Sequence, residues 1–294
     1  MIVTTWAQRV RARRERWWVV VLAGLAVLAL ACEGGTAVPA PTGEPGGGGG
    51  GLTSMAALGD SLTTAFASCL APAPCPRNSW STGDGTRVDS HYRRLLKANP
   101  GLKDHARNAA QGSARADALA GQARAAVTAK AGYVTILVGA NDACRPGIAD
   151  MTAPDTFRRQ VDEALAVLKQ GLPQARILVA SVPDIHRLWE IGHTRDVAVK
   201  AWSFGICQAL LAAPTSTAPT DVARRRAFRE RIDAYNTQLA AACKAYGPRC
   251  KDDGGAAHRV AFSLDMVVAQ DFFHPNAAGQ NALAKATWLG PPDW

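Results

Sequence analysis

The 294-residue chain reads as an α/β protein, a three-layer α/β/α sandwich around a mostly parallel five-stranded sheet, on three observations. Strand-like apolar runs alternate with longer helix-like stretches from residue 54 onward, the order that covers a sheet with helices on both faces. Two of these runs, 134–138 and 177–180, are almost continuously apolar, as strands of a parallel sheet buried on both sides must be. A composition of 48% apolar and 19% charged residues suits one domain with a substantial core and excludes a disordered chain.

In chain order, residues 1–31 come first as an export signal, with arginines 9, 11, 13, 14 and 16 ahead of an apolar run from Trp17 to Ala31. That run is short for a membrane span, which needs about 20 apolar residues. Cys32 follows, and Leu28-Ala29-Leu30-Ala31-Cys32 resembles a bacterial lipobox, with alanine where leucine is usual three residues before the cysteine. Cys32 is therefore the candidate lipidated N-terminus, and a plain secreted chain cleaved after Ala31 is the rival reading. Residues 32–51, rich in Gly, Pro, Thr and Ala and ending in six glycines, cannot bury a core and read as a tether. The folded domain is expected over 52–294. Its strands are expected at 54–58, 105–108, 133–138, 176–181 and 259–264, and its helices at 89–98, 114–129, 154–171, 222–246 and 277–289.

The net charge of +9 falls to +5 without residues 1–31, and the remainder shows no clustered basic face with interleaved aromatics, so nucleic acid is not an expected partner. Setting Cys32 aside leaves six cysteines: Cys69, Cys75, Cys144, Cys207, Cys243 and Cys250. An even set in an exported chain implies disulfides, with fifteen pairings open for six. Sequence proximity suggests Cys69 with Cys75 and Cys243 with Cys250, leaving Cys144 with Cys207. No Cys-x-x-Cys pair supports zinc, and no metal site is expected.

The chemistry-bearing residues lie in four segments. Ser61, in Gly59-Asp60-Ser61-Leu62, sits just beyond a strand, where Gly59 permits a tight turn. A helix from Leu62 onward would point its N-terminal dipole at the serine. Asp271 precedes His274 by three residues, so the acid can orient the imidazole while the other ring nitrogen reaches the serine. Of the five other histidines only His193, three residues after Glu190, shares that spacing, and only His274 is followed by a proline. Between these ends, Gly112, in the segment beginning Asn108-Ala109-Ala110-Gln111, and Asn141, in Gly139-Ala140-Asn141-Asp142, can supply a backbone N–H and a neutral amide to an oxyanion, with the Ser61 N–H. All three donors fall beyond the carboxyl ends of strands, where open α/β sheets bind ligands. Taken singly, each segment is equally well a cap or a turn. No Gly-x-Ser-x-Gly elbow occurs, which argues against an α/β-hydrolase.

Together the four segments resemble the SGNH (GDSL-type) hydrolase family, whose blocks carry Ser, Gly, Asn and His in this order. Further similarity, to the phospholipase B-like branch, lies in Ser79-Trp80-Ser81-Thr82-Gly83-Asp84-Gly85, in 114–124, in Asn141-Asp142-Ala143-Cys144 and in 274–279. The resemblance spans residues 54–290 and is poorest over 186–226, where no family motif is found. It implies an SGNH/flavodoxin-like sheet and a monomeric serine esterase or lipase needing no cofactor. Ser61 would be nucleophile, His274 base, Asp271 its partner, and Ser61, Gly112 and Asn141 the oxyanion donors. The expected substrate is an acyl-lipid ester and the expected location the cell envelope, through a lipid on Cys32, or the medium. Two alternatives stay open: an O-acetylesterase acting on a polysaccharide or cell-wall glycan, and a non-catalytic envelope-binding lipoprotein.

Overall fold

The computed structural model describes residues 52–294, so the expected export signal, the tether and Cys32 lie outside the described residues. Five strands form one sheet in the order β2-β1-β3-β4-β5, every neighbouring pair parallel. They are β1 (Met55–Gly59), β2 (Ala106–Asn108), β3 (Tyr133–Leu137), β4 (Arg176–Val179) and β5 (Cys250–Asp252). Every residue of β1 and β3 is buried, which is why these runs carry almost no polar side chains.

Nine α-helices connect them among the described residues: α1 (His91–Ala98), α2 (Leu119–Thr128), α3 (Ala140–Ala143), α4 (Pro154–Gly171), α5 (His186–Gly192), α6 (Asp196–Trp202), α7 (Gln208–Leu211), α8 (Pro219–Tyr246) and α9 (Ala277–Ala286). On one face α2 packs against β1 and α4, and α4 against α8, which also covers β4 and β5. The other face is marked by Tyr133 and Thr135, two residues apart on β3. Their hydroxyls pair with His91 of α1 at 3.1 Å and with Ser81 at 2.6 Å. His91 also reaches Thr287 beside α9 at 2.9 Å, and burial first, then Arg94, pulls its pKa down to about 3, leaving a neutral imidazole as a core strut. The α/β/α sandwich expected from the alternation is present.

Two expected elements differ. The last strand is Cys250–Asp252, not 259–264. At this sheet edge the strand pairs on one side only, and its entry follows a disulfide from Cys243 in α8 to Cys250 itself. The apolar alternation at 259–264 has another use: it buries Phe262 in an irregular segment leading to a 3₁₀ turn at Leu264–Met266. No helix follows Leu62. Residues 61–69 form consecutive turns, with Ala65 and Ala67 at φ 52° and 57°. The Thr64 hydroxyl donates to the Ser61 carbonyl at 3.2 Å, a local bond that competes with helical pairing. The Ser61 turn is thus held by side chains and not backed by a helix dipole.

All six cysteines are bridged: Cys69–Cys75, Cys144–Cys207 and Cys243–Cys250. This is the pairing that proximity suggests. No described helix is long and apolar enough to cross a membrane.

Candidate active site

The site lies where β1 and β3 end side by side, with Gly59 in register with Leu137. Gly59 adopts φ 144°, and a Cβ there would fall 2.1 Å from the Leu137 carbonyl oxygen, so only glycine lets the chain leave β1 this way. The Gln122 amide of α2 clamps this residue from both sides, accepting from the Gly59 N–H at 2.7 Å and donating to its carbonyl at 2.9 Å. The following turn is fixed by Gln280 of α9, whose amide donates to the Leu62 carbonyl at 2.8 Å and accepts from the Trp80 N–H at 2.9 Å. Asn108, at the end of β2, donates to the Thr63 carbonyl at 3.0 Å. Three buried or half-buried amides thus hold the backbone around Ser61, itself 9% exposed.

His274 arrives from the other end of the chain. Its Nε2 lies 3.0 Å from Ser61 Oγ and its Nδ1 2.7 Å from Asp271 Oδ2. Asp271 Oδ1 accepts from the N–H groups of Phe273 at 2.8 Å and His274 at 3.0 Å. The segment is not the helical turn that the three-residue spacing suggests. It is a tight turn with Phe272 at φ 50°, closed by those two bonds to the carboxylate. Asn276, not Asp271, caps α9, accepting from Ala278 N–H at 2.8 Å and Gly279 N–H at 3.2 Å.

The residues expected as oxyanion donors follow the carboxyl ends of three adjacent strands, β1, β2 and β3. Asn141 sits in the first turn of α3, after Gly139 at φ 127°. One hydrogen of its amide goes to the Ala114 carbonyl at 3.0 Å, which aims the group and leaves the second hydrogen free to donate. The Gly112 segment is drawn in by Gln111, whose N–H donates to the Gly59 carbonyl at 3.1 Å. Among the described residues the N–H groups of Ser61 and Gly112 have no acceptor. A Cβ on Gly112 would meet nothing within 4 Å, so the fold does not itself demand glycine there.

Two buried acids, unpaired by any pattern in the sequence, follow the ends of β1 and β3. Asp60 is fully buried; its Oδ1 accepts from the Leu62 N–H at 2.9 Å and its Oδ2 has no partner among the described residues. Asp142 is also buried, its Oδ2 accepting from the Ala116 N–H at 3.0 Å and its Oδ1 likewise without a partner. Burial pushes the Asp60 carboxyl up to about 7; the Leu62 bond opposes this and the Asp142 charge adds to it. Burial also raises Asp142, against the bond from the Ala116 N–H. The signal available in the sequence was only that one acid ends the β1 block and the other the β3 block, on adjacent strands.

Leu62, Ala140, Ile185, Leu188, Phe262 and Phe273, with Asp184 and two prolines, line a small pocket of mostly apolar surface; Leu62 and Phe273 are the chain neighbours of Ser61 and His274, which do not themselves line it. No described group of three or more His, Cys, Asp or Glu side chains is gathered as metal ligands would be.

A hydroxyl, an imidazole and a carboxylate in line, with unclaimed N–H donors following the same strand ends, are the parts of acyl transfer. The model of the GDSL-like lipase/acylhydrolase family matches residues 57–282, and the chain belongs to that family. It is a carboxylic ester hydrolase. No curated protein sequence matches it. Similar solved structures include a psychrotrophic esterase from Pseudoalteromonas, with TM-score 0.47 and 12% identity, covering 80% of this chain and 93% of that one. An extracellular lipase from Streptomyces rimosus gives 0.44 and 17%, covering 80% and 100%. A phospholipase A1 from Streptomyces albidoflavus gives 0.43 and 17%, covering 81% and 100%.

Proposed function

We propose that this chain is an exported serine esterase whose substrates are acyl-lipid esters. The observation that carries the reading is the unbroken line from Asp271 Oδ2 through the His274 ring to Ser61 Oγ, at 2.7 and 3.0 Å. His274 Nε2 takes the hydroxyl proton as Ser61 Oγ forms a bond to the ester carbonyl carbon. The oxyanion receives the N–H groups of Ser61 and Gly112 and the free hydrogen of the Asn141 amide. When the tetrahedral adduct collapses, the ester C–O bond breaks and the imidazolium protonates the departing alkoxide. Water then attacks the acyl-serine, giving its proton to His274, and the carboxylic acid leaves as Ser61 regains its hydrogen. Asp271, which accepts three hydrogen bonds, holds the ring and stabilises its cationic form.

Apolar neighbours of both reacting residues, Leu62 and Phe273, favour an acyl chain over an acetyl group. Export agrees with three disulfides. Attachment through a diacylated Cys32 is part of the reading and rests on the sequence alone.

Ser61→Ala tests it. A fluorophosphonate should label the wild-type chain once, at Ser61, and the variant should lose nearly all ester hydrolysis while keeping its melting temperature. Labelling elsewhere, or activity in the variant, sinks the nucleophile. A nitrophenyl-ester series should favour chains longer than acetyl; activity confined to acetyl esters would replace the lipid reading with glycan deacetylation.

A further inference from the structure

Leu70, Ala71, Pro72, Ala73 and Pro74 form a run of five consecutive exposed residues, all apolar, with Leu70 77% exposed. A solvent-facing loop has no use for such a run, and single exposed apolar residues do not account for it. No charged residue lies between Asp60 and Arg77. The loop's backbone is already provided for. Leu70 N–H donates to the Ala67 carbonyl at 3.0 Å and Ala73 N–H to the Ala71 carbonyl at 2.8 Å. Pro72 and Pro74 have no N–H, so among these five residues only Ala71 keeps an unclaimed donor. Moving this loop out of water therefore strips hydration from almost no polar donor. The Cys69–Cys75 bridge closes it at the base.

A second patch lies on α6 and the residues after it. Val197 is 63% and Phe204 83% exposed, seven positions apart in sequence, with exposed Lys200 between them. Residues 194–207 carry the cations Arg195 and Lys200 against one acid, Asp196. Both patches are fastened to the segment that carries the histidine. Gln270 Nε2 donates to the Leu70 carbonyl at 3.4 Å, and the Phe66 ring packs on His274 with centroids 4.9 Å apart. From the other side, Trp202 Nε1 donates to the Phe272 carbonyl at 3.2 Å.

From this arrangement we infer that the two patches are a docking rim for a phospholipid surface. The 70–74 loop and Phe204 enter the boundary of the acyl region, while Lys200 and Arg195 stay at the phosphate level. Docked in this way, the mouth containing Ser61 faces the layer from which an ester must be drawn. The purpose of the rim rests on the lipid-esterase reading; its existence does not, which separates the two tests.

The experiment uses the exported chain, residues 32–294, with Cys32→Ser, so that neither the export signal nor an acyl anchor is present, and with Ser61→Ala, removing turnover. It is sedimented with vesicles of phosphatidylcholine, alone or with one-third phosphatidylglycerol. Leu70→Ser with Phe204→Ser should lower the partition by about tenfold or more, the scale of withdrawing two large apolar side chains from lipid. Lys200→Glu should weaken binding to the anionic vesicles and leave the neutral ones unchanged. With Ser61 restored, the double variant should hydrolyse a soluble short-chain ester within about twofold of the parent. Its hydrolysis of a vesicle-borne ester should fall with the partition. An unchanged partition, or concentration-dependent self-association of the parent without vesicle binding, overturns the rim. Inactivity of the parent on every ester while it still binds vesicles would overturn the esterase reading and leave the rim standing.

Discussion

Asp271 and Asp60 flank the same hydroxyl–imidazole contact, and the chain provides for them in opposite ways. Asp271 accepts three hydrogen bonds, one from the imidazole and two from the backbone of its own turn. Asp60 accepts one from a backbone N–H, keeps an oxygen without a partner, and shares its buried surroundings with a second carboxyl on Asp142. A carboxylate with that many donors is held in place and can give its charge to a neighbour. A buried carboxyl with one donor and an acid beside it is better off neutral, and Asp60 is accordingly pushed up to about 7. The difference teaches that contact with the ring and escape from full burial, not closeness in sequence to the serine, decide which acid can work on the histidine.

The largest expected effect comes from abolishing the charge that this comparison assigns to Asp271. Asp271→Asn should lower kcat by roughly 10³–10⁴-fold with little change in melting temperature, because the amide removes the anionic partner and presents a donor to Nδ1. Near-normal turnover would mean the ring is oriented by another group, and the contrast with Asp60 would collapse.

Asn141→Ala comes next, since its spare amide hydrogen is held ready on the Asp142 side of the mouth. We expect kcat to fall roughly 10²–10³-fold with KM little altered, as loss of an oxyanion donor requires. A change in KM alone would make Asn141 a substrate-positioning residue.

For Asp60 the expected effect is on stability. Its folded-state pKa of about 7 exceeds the ordinary carboxyl value, so the folded form holds a proton that the unfolded form has lost. That contribution is complete below the unfolded pKa of about 4 and is lost as pH rises through the folded one. Between those limits wild-type stability should decline by up to about 1.4 kcal/mol per pH unit relative to Asp60→Asn, as read from urea midpoints. Parallel profiles would show that Asp60 is ionised in the folded protein.

Gly112→Ala should do least. A methyl group there meets nothing, and the backbone N–H survives, so stability should stay within about 0.5 kcal/mol. A large loss of kcat in a stable variant would mean the reacting carbonyl passes directly over Gly112.

The contrast between the two acids also marks what the sequence could disclose. Asp271 and His274 are three residues apart, so their partnership is local and legible, although the spacing suggested a helix and the chain makes a tight turn closed by the carboxylate. Ser61, Gly112 and Asn141 follow β1, β2 and β3, and their common end of the sheet is legible because a parallel sheet gathers its carboxyl ends. Asp60 and Asp142 meet only through the β1–β3 register, and the amide clamps from Gln122 and Gln280 join residues 63 and 218 positions apart. No local pattern encodes such contacts. The edge strand β5 was missed for a related reason: Cys-Lys-Asp has no apolar alternation, and its place is set by pairing with β4 and by the bridge to α8.

One further consequence follows from the way the segment between β4 and α8 is fastened. Cys207 is bridged to Cys144, which ends the short helix carrying Asn141, and Trp202 is bonded to the turn carrying His274. The stretch that holds α5 and α6 is therefore anchored at fixed points whatever occupies the positions between them. Exposed residues there can be exchanged over generations without displacing the reacting groups. The region with the least family resemblance is where this architecture can drift toward new substrates while the chemistry stays the same.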